Sequence, residues 1–391
     1  MRITIPMALM LLINTGWALD LKQADLPADP LRGAAQFTQK GCDRCHSVEG
    51  RGGTFGPDLA RSDLDRSLLD IFAMMWNHSP QMSGIMTDLR LPRPSLTSTD
   101  LAELAAYIYY IDYFDKPGDI GHGKRVFTEK GCVNCHRVGG IGKAIGPDLA
   151  PIKKYVSPIF LAQMMWNHGS RIKAKMDELG IPWPQFDGPE IADLMAFLRD
   201  ASPVTDPARV FMRPGNPQTG EQLFEKKGCI ACHRVFGTGT AIGPDLSKST
   251  FHRTATSISA IMWNHGPVIW RRMEELGLKR PTFEGNEMAD LTAFLYFVRF
   301  VEPEGDPLRG EMLFHQKGCQ KCHYFGEKGV DSSFSLSHPG ADRSKVDIVA
   351  AMWNNGQPMA AMMTRMKMEW PRFGPGEVND LVEYIRLNGN R

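Results

Sequence analysis

The chain contains eight cysteines, and all of them fall into Cys-x-x-Cys pairs that are each followed directly by a histidine. The four motifs comprise Cys42, Cys45 and His46; Cys132, Cys135 and His136; Cys229, Cys232 and His233; and Cys319, Cys322 and His323. Their first cysteines lie 90, 97 and 90 residues apart, which indicates an internal repeat. The 391 residues are therefore better interpreted as four small units than as two or three average domains.

Other residues recur in register with the cysteine motif. Each motif is preceded by a Gly-x-x-x-Phe step, and three of the four histidines are followed by Gly-Pro-Asp-Leu. The fourth unit has Ser333-Phe334-Ser335-Leu336 at that position. Each unit then has a methionine, a tryptophan and an asparagine in succession, and the tryptophans are Trp76, Trp166, Trp263 and Trp353.

The end of each unit has the pattern of an amphipathic helix. In the second unit, Ile191, Leu194, Met195 and Leu198 follow the i, i+3, i+4, i+7 spacing of one helical face. No strand pattern of any length is present, so the sequence predicts an all-α fold with three to five helices in each unit.

The predicted organisation is a signal peptide at 1–18, units at 24–115, 116–200, 216–303 and 304–391, and a linker at 201–215. We number the units 1 to 4. The stretch from Asp200 to Pro217 contains four prolines, so the joint between units 2 and 3 is expected to be the loosest.

The N-terminus has a basic residue at Arg2, an apolar run, and the small-x-small ending Gly16-Trp17-Ala18. This pattern is typical of a secretory signal, and we expect cleavage after Ala18. An uncleaved anchor is the alternative. The sequence thus predicts a periplasmic or otherwise exported protein without a membrane span after cleavage.

The charges of the chain nearly balance. With 45 basic and 44 acidic side chains, the chain has no large positive electrostatic field that would attract nucleic acid.

The Cys-x-x-Cys-His motif has the spacing that covalent haem attachment requires. Two cysteines form thioethers with the haem, and the adjacent histidine reaches the iron as its proximal ligand. Zinc sites, redox dithiols and structural disulfides are the alternatives. Zinc would leave four adjacent histidines unexplained, and a redox dithiol is expected within a βαβ pattern that is absent here. Four identical copies with no spare cysteine favour four covalently bound haem c groups.

Each unit resembles a class I cytochrome c domain, and the chain resembles four such domains in tandem. The resemblance implies that the first and last helices of each unit cross where a glycine meets an aromatic residue. The glycines are Gly33, Gly123, Gly220 and Gly310, and the aromatic residues are Tyr107, Phe197, Phe294 and Tyr384. It also implies a hydrogen bond from each proximal histidine to a carbonyl, at Pro57, Pro147, Pro244 and, in the fourth unit, Phe334.

The sixth iron ligand is expected to be a methionine forty residues after each proximal histidine: Met86, Met176, Met273 and Met363. The alternatives are no methionine ligand, or the methionines directly before the tryptophans: Met75, Met165, Met262 and Met352. The family often places its methionine before a Pro-x-Phe segment, where this chain has Arg93, Trp183, Arg280 and Trp370.

Two further sets of polar groups recur near these candidates. His78, His168 and His265 are interpreted as polar groups near a haem edge, because the fourth unit has Asn355 instead. The four tryptophans are expected either to bond a haem propionate through the indole N–H or to pack in the core.

Taken together, these features predict an exported tetrahaem cytochrome that transfers electrons between redox proteins through His/Met-ligated haems. The fourth haem is expected to differ most in potential. Two alternatives stay open: a haem oxidoreductase with one open coordination position, and a cytochrome subunit of a larger membrane respiratory complex. Because the repeats leave no separate catalytic domain, the electron carrier is favoured over the enzyme.

Overall fold

The computed structural model describes residues 30–61, 66–113, 116–150, 157–202, 215–248, 254–302, 304–326, 334–337 and 343–389. The predicted signal peptide with its cleavage after Ala18, most of the linker at 201–215, and Ser333 lie outside the described residues. Within the described ranges the fold is all-α apart from three hairpins of two-residue strands, as the sequence predicts.

Each described unit has a short first helix, a long central helix around the tryptophan, and a closing helix. Unit 1 has α1 (Pro30–Gln39), α2 (Leu68–Asp88) and α3 (Ser98–Tyr113), and unit 2 has α4 (Ile120–Glu129), α5 (Pro158–Glu178) and α6 (Glu190–Asp200). Unit 3 has α7 (Pro217–Lys226), α8 (Ala255–Glu275) and α9 (Glu287–Phe297), and unit 4 has α10 (Pro307–Gln316), α11 (Lys345–Arg365) and α12 (Glu377–Gly389).

Short antiparallel hairpins follow the cysteine motif in units 1 to 3. They pair β1 (Ser47–Val48) with β2 (Arg51–Gly52), β3 (Arg137–Val138) with β4 (Ile141–Gly142), and β5 (Arg234–Val235) with β6 (Thr238–Gly239). Single turns of 3-10 helix lie at Leu59–Arg61, Leu246–Lys248 and Val298–Phe300.

The central helices begin at side-chain caps. Ser67, Ser157 and Thr254 each accept a hydrogen bond from the backbone N–H three residues later. Ser344 does so within a full capping box, in which the side chain of Asp347 also bonds the cap residue. These caps satisfy backbone donors that the first turn leaves unpaired and fix where each central helix starts.

The first and closing helices of each unit cross at the predicted glycine. A Cβ added to Gly220 would fall inside contact distance of the Asp290 carbonyl oxygen, and Gly33, Gly123 and Gly310 meet the closing helix in the same way. Next to the crossing, aromatic rings pack 5.5–5.7 Å apart, in the pairs Phe37–Tyr107, Phe127–Phe197, Phe224–Phe294 and Phe314–Tyr384. The helix crossing implied by the family resemblance is confirmed.

Units 1 and 4 are joined by reciprocal hydrogen bonds between a central helix and a loop. In unit 1, Trp76 donates its indole N–H to the Pro371 carbonyl at 2.9 Å. The Asn77 amide donates to the Phe373 carbonyl and accepts from the Phe373 N–H, both at 2.8 Å. In unit 4, Trp353 and Asn354 make the same bonds to Pro94 and Leu96. We call this two-way arrangement the clasp.

Units 2 and 3 are joined by an equivalent clasp. Trp166 and Asn167 bond Pro281 and Phe283, while Trp263 and Asn264 bond Pro184 and Phe186. The expectation that units 2 and 3 form the loosest joint is therefore wrong, because the clasp holds them independently of the linker. The propionate interpretation of the tryptophans is also wrong, because each indole N–H is bonded to a proline carbonyl of another unit.

The two clasped pairs meet where the closing helices of units 1 and 3 pack. The Tyr296 hydroxyl donates to the Tyr109 carbonyl at 2.7 Å, and the Tyr109 ring stacks on Phe300 with centroids 3.8 Å apart. Tyr110 donates to the Gly215 carbonyl at 3.3 Å. One apolar cluster runs through this contact and contains residues of units 1, 2 and 3, and a second cluster joins units 1 and 4, so the four units share buried surface.

None of the helices in the described ranges carries an apolar stretch long enough to cross a membrane.

Candidate functional site

The Cys-x-x-Cys-His motif folds as one 3-10 turn in all four units. The turns lie at Cys42–Arg44, Cys132–Asn134, Cys229–Ala231 and Cys319–Lys321. In each, the histidine N–H donates to the carbonyl of the first cysteine at 2.8–2.9 Å. The glycine before that cysteine is left-handed, with φ of 75–81°, a conformation that glycine adopts without strain. The turn thus holds two thiols and one imidazole together on a single short segment.

The first cysteine of each motif lies in apolar surroundings. Burial raises the pKa of the Cys42, Cys132 and Cys319 thiols to about 11 and that of Cys229 to about 12. All eight cysteines lie within the described ranges, and none of them is in a disulfide. The structure therefore presents pairs of free thiols beside an apolar interior, which suits an apolar group attached at both sulfurs.

Each proximal histidine is oriented by the predicted backbone carbonyl. The Nδ1 atoms of His46, His136 and His233 lie 3.0–3.1 Å from the carbonyls of Pro57, Pro147 and Pro244. In the fourth unit, His323 Nδ1 lies 3.2 Å from the Phe334 carbonyl, so the prediction is confirmed there too. A histidine that donates from Nδ1 keeps the Nε2 lone pair for a metal, and the carbonyl raises its basicity.

The glycine before Pro57 is needed for this contact. A Cβ added to Gly56 would collide with the His46 ring, and Gly146 and Gly243 face their histidines in the same way. The Gly-Pro-Asp-Leu segment therefore packs its backbone flat against the imidazole.

A cavity of about 730 Å³ lies in unit 4, between the cysteine turn and the central helix α11. Cys319, Cys322 and His323 line one part of it, and Met352 and Met363 line another. These residues fit a haem: two thiols for its attachment, an imidazole for its iron, and thioethers from the central helix. Both candidate methionine sets are represented in this wall, together with Trp370, which stands where the family often has its ligand.

The remaining predicted methionines occupy equivalent places on the other central helices. Met176 and Met273 are buried, and Met86 is half-buried. Met75, Met165 and Met262, the alternative set, are half-buried. No group of three or more His, Cys, Asp or Glu side chains converges as a metal site in the described part of the chain.

The histidines after Trp-Asn bond their own helix. His78, His168 and His265 are exposed, and their Nδ1 atoms lie 2.7–2.8 Å from the carbonyl four residues earlier. Asn355 bonds the Ala351 carbonyl in the same way and lines the cavity of unit 4.

A lysine two residues before each first cysteine ties the cysteine turn to the closing helix. Lys227 Nζ donates to Glu287 Oε2 at 2.6 Å and to the Thr282 carbonyl at 2.7 Å. Lys40, Lys130 and Lys317 make the same pair of contacts with their own units. These lysines were not predicted from the sequence, although Lys-Gly recurs directly before every motif.

The ion pair lowers the pKa of the carboxylate. Burial opposes ionisation of Glu287, but the hydrogen bond from Lys227 and a backbone N–H outweigh it, so the pKa of Glu287 lies below its ordinary value. The pKa values of Asp100 and Glu377 are lowered for the same reason by Lys40 and Lys317.

The candidate site in unit 4 includes a residue of another unit. Trp76 of unit 1 lines the cavity and stacks on Trp370, with ring centroids 4.4 Å apart. The recurrent tryptophan is visible in the sequence, but its place in the cavity wall of a different unit could not be predicted from it.

Comparison with known proteins agrees with this geometry. The cytochrome c family model matches the chain four times, at residues 31–111, 120–202, 217–296 and 308–388. No curated protein and no solved structure matches the chain. Four consecutive matches over most of the sequence, each containing one Cys-x-x-Cys-His turn with its carbonyl-bonded histidine, show that the chain belongs to the cytochrome c family and is a multihaem c-type cytochrome of electron transfer.

Proposed function

We propose that this cytochrome is an exported tetrahaem electron carrier in which each unit binds one haem c between its histidine and a methionine. The observation that carries the proposal is the unit 4 cavity, where Cys319, Cys322, His323 and Met363 line one space. A haem bound there supplies a one-electron iron couple. The two cysteines would hold the group covalently, and His323 would bind its iron through Nε2.

The carbonyl behind each histidine tunes the proposed site. The carbonyl fixes the plane of the imidazole ring and makes the imidazole a stronger electron-pair donor to the iron, which favours the oxidised state of the iron. In units 1 to 3 this carbonyl belongs to a proline, whereas in unit 4 it belongs to Phe334, whose ring centroid lies 6.2 Å from that of His323. This difference supports the expectation that the fourth haem has the most divergent potential.

Met86, Met176, Met273 and Met363 are the proposed distal ligands. A thioether ligand raises the reduction potential and leaves no coordination position for oxygen, peroxide or carbon monoxide. The burial of Met176 and Met273 supports this role, since a ligand to a buried iron has to point into the unit rather than into water.

The clasps support electron exchange within pairs of units. Trp76 belongs to unit 1 and lies in the wall of the unit 4 cavity, so the sites of these two units are adjacent although the units stand at opposite ends of the chain. Units 2 and 3 share the same arrangement through Trp166 and Trp263. A compact carrier with two adjacent pairs can accept several electrons from a donor protein and deliver them to an acceptor protein.

Carbon monoxide binding to the reduced holoprotein tests the proposal. Four methionine-ligated haems bind none, whereas a haem oxidoreductase binds carbon monoxide at its open haem. Met363→Ala should create binding at one haem and so prove that the assay detects an open site. Met362→Ala, which alters the neighbouring residue of the same cavity, serves as the matched control and should create none. Binding in the unaltered protein would contradict the carrier and favour the enzyme.

Export and membership of a larger complex need a separate measurement. If the carrier diffuses freely, fractionation should recover the mature chain without residues 1–18 in the exported soluble fraction. Recovery in envelope fractions together with membrane proteins would instead favour a subunit of a membrane respiratory complex.

A further inference from the structure

The residue before the loop proline differs between the two members of each clasped pair. It is arginine in units 1 and 3, at Arg93 and Arg280, and tryptophan in units 2 and 4, at Trp183 and Trp370. Because unit 1 is clasped to unit 4 and unit 2 to unit 3, every pair contains one arginine and one tryptophan at this position.

Both residue types contact the clasp tryptophan of the opposite unit. Trp370 and Trp183 donate their indole N–H groups to the carbonyls of Trp76 and Trp263, at 3.0 and 3.3 Å, and stack on those rings. Arg280 Nη2 donates to the Trp166 carbonyl in the same manner. The two residue types thus bond the same backbone atom, but only arginine brings a charge.

The Arg93 guanidinium lies against Trp353. Its central carbon is 3.8 Å from the centroid of the Trp353 ring, and its Nη1 donates to Ser83 Oγ at 2.7 Å. This stack is the repeat equivalent of the Trp370–Trp76 stack, and both members of that stack line the unit 4 cavity beside His323. The repeat therefore assigns Arg93 to the corresponding wall in unit 1. The Arg280 guanidinium stacks on Trp270 of its own unit, 3.9 Å from the ring centroid, and its hydrogen bond to the Trp166 carbonyl assigns it to the corresponding wall in unit 3.

The two guanidinium groups carry a charge that the described chain does not neutralise. Both are half-buried, and their Nε atoms are buried without a hydrogen-bond partner among the described residues. Desolvation lowers the pKa of Arg93 to about 10, and no acidic side chain among the described residues offsets this effect. Arg93 is therefore still charged at neutral pH, and the charge is less screened than one in open water.

We propose that Arg93 and Arg280 divide the four haem sites into two electrostatic classes, so that each clasped pair joins a site with a half-buried positive charge to a neutral one. This inference rests on the proposed haem sites. Oxidised iron carries one more positive charge than reduced iron, so a nearby cation disfavours oxidation and raises the midpoint potential. The haems of units 1 and 3 are then the electron-rich members of their pairs.

Potentiometric titration of holoproteins with Arg280→Gln and Arg280→Lys tests the inference. Both variants lose the planar fork, but only the glutamine variant loses the charge. We expect Arg280→Gln to lower one of the four midpoint potentials by about 59 mV, which corresponds to a tenfold change in the equilibrium constant of a one-electron couple. Arg280→Lys should keep that potential close to its original value, and Arg93→Gln should lower a different one.

Equal shifts in the glutamine and lysine variants, no shift, or a rise in potential would overturn the inference. The number of attached haems, measured by mass spectrometry on the same samples, separates this outcome from failure of the proposed function. Four attached haems with unmoved potentials contradict only the arginine classes. Fewer than four attached haems in the unaltered protein contradict the tetrahaem carrier itself.

Discussion

The ring of Trp76 stacks on the ring of Trp370, although 294 residues separate the two tryptophans along the chain. Each residue also bonds the loop or helix of the opposite unit, Trp76 through Pro371 and Trp370 through the Trp76 carbonyl. The contact connects the first unit to the last and makes the repeat a closed assembly rather than a string. Because Trp76 also lines the cavity of unit 4, unit 1 completes a site in another unit.

Replacement of Trp76 by leucine should loosen the pair of units 1 and 4 selectively. The variant loses the indole hydrogen-bond donor and the stacked ring, and it leaves a cavity. Truncation of a buried tryptophan costs up to about 5 kcal/mol of stability. Hydrogen exchange should speed up in α11 and in the loop around Pro371. The matched variant Trp263→Leu should instead affect the loop around Pro184. Equal acceleration in all four units for either variant would contradict independent clasps.

Gly220→Ala should destabilise unit 3. The added methyl group meets the Asp290 carbonyl and the Phe294 side chain, so the two helices must separate, at a cost of about 1–3 kcal/mol. Gly84→Ala is the control, because a Cβ at this helical position meets no atom within 4 Å. That variant should gain up to about 1 kcal/mol from helix propensity. Thermal unfolding of both holoproteins measures the difference, and equal melting temperatures would show that the crossing tolerates a methyl group.

Lys227→Met should reduce stability at neutral pH but not in acid. The folded-state pKa of Glu287 lies below its unfolded value of 4.5, so its ion pair stabilises the protein above that pH and loses this effect as the pH falls. For a half-buried pair we expect about 0.5–1 kcal/mol. Unfolding midpoints between pH 7 and pH 3 provide the test, with Lys279→Met, at an exposed lysine of the same unit, as control. If Lys227→Met lowered the stability as much at pH 3 as at pH 7, the ion pair with Glu287 would be excluded as the cause.

Met273→Ala should remove one of four contributions to the sulfur-to-iron charge-transfer band. Met262→Ala, which alters the alternative methionine of the same helix, should leave the band intact. Loss of band intensity in the Met262 variant alone would assign ligation to the methionines that precede the tryptophans.

The haem-binding turn could be predicted from sequence because its parts are close together along the chain. His323 and Phe334 are eleven residues apart, and their hydrogen bond was expected because the family resemblance implied such a bond and the register of the repeat placed Phe334 at the position of the proline. The packing of a glycine against an aromatic residue at the helix crossing could also be predicted, because the family resemblance implied that contact.

The clasp could not be predicted in the same way. Trp-Asn was visible in all four units, but its partner is a loop of another unit whose identity depends on how the units pack. The proline-rich linker between Asp200 and Pro217 suggested a loose joint between units 2 and 3. That prediction failed because the length of a linker says nothing about the hydrogen bonds that Trp166 and Trp263 make between the units. Arg93 and Trp370 were first seen only as departures from the family pattern, and their contact with the opposite tryptophan explains both.

Coulometric reduction of the purified holoprotein, followed by optical and electron paramagnetic resonance spectroscopy, is the most direct measurement of what this cytochrome does. We expect four electrons per chain, low-spin spectra of histidine and methionine ligation at every haem, and more than one midpoint potential. Uptake of fewer than four electrons, or a high-spin haem in the resting protein, would contradict a carrier with four His/Met-ligated haems.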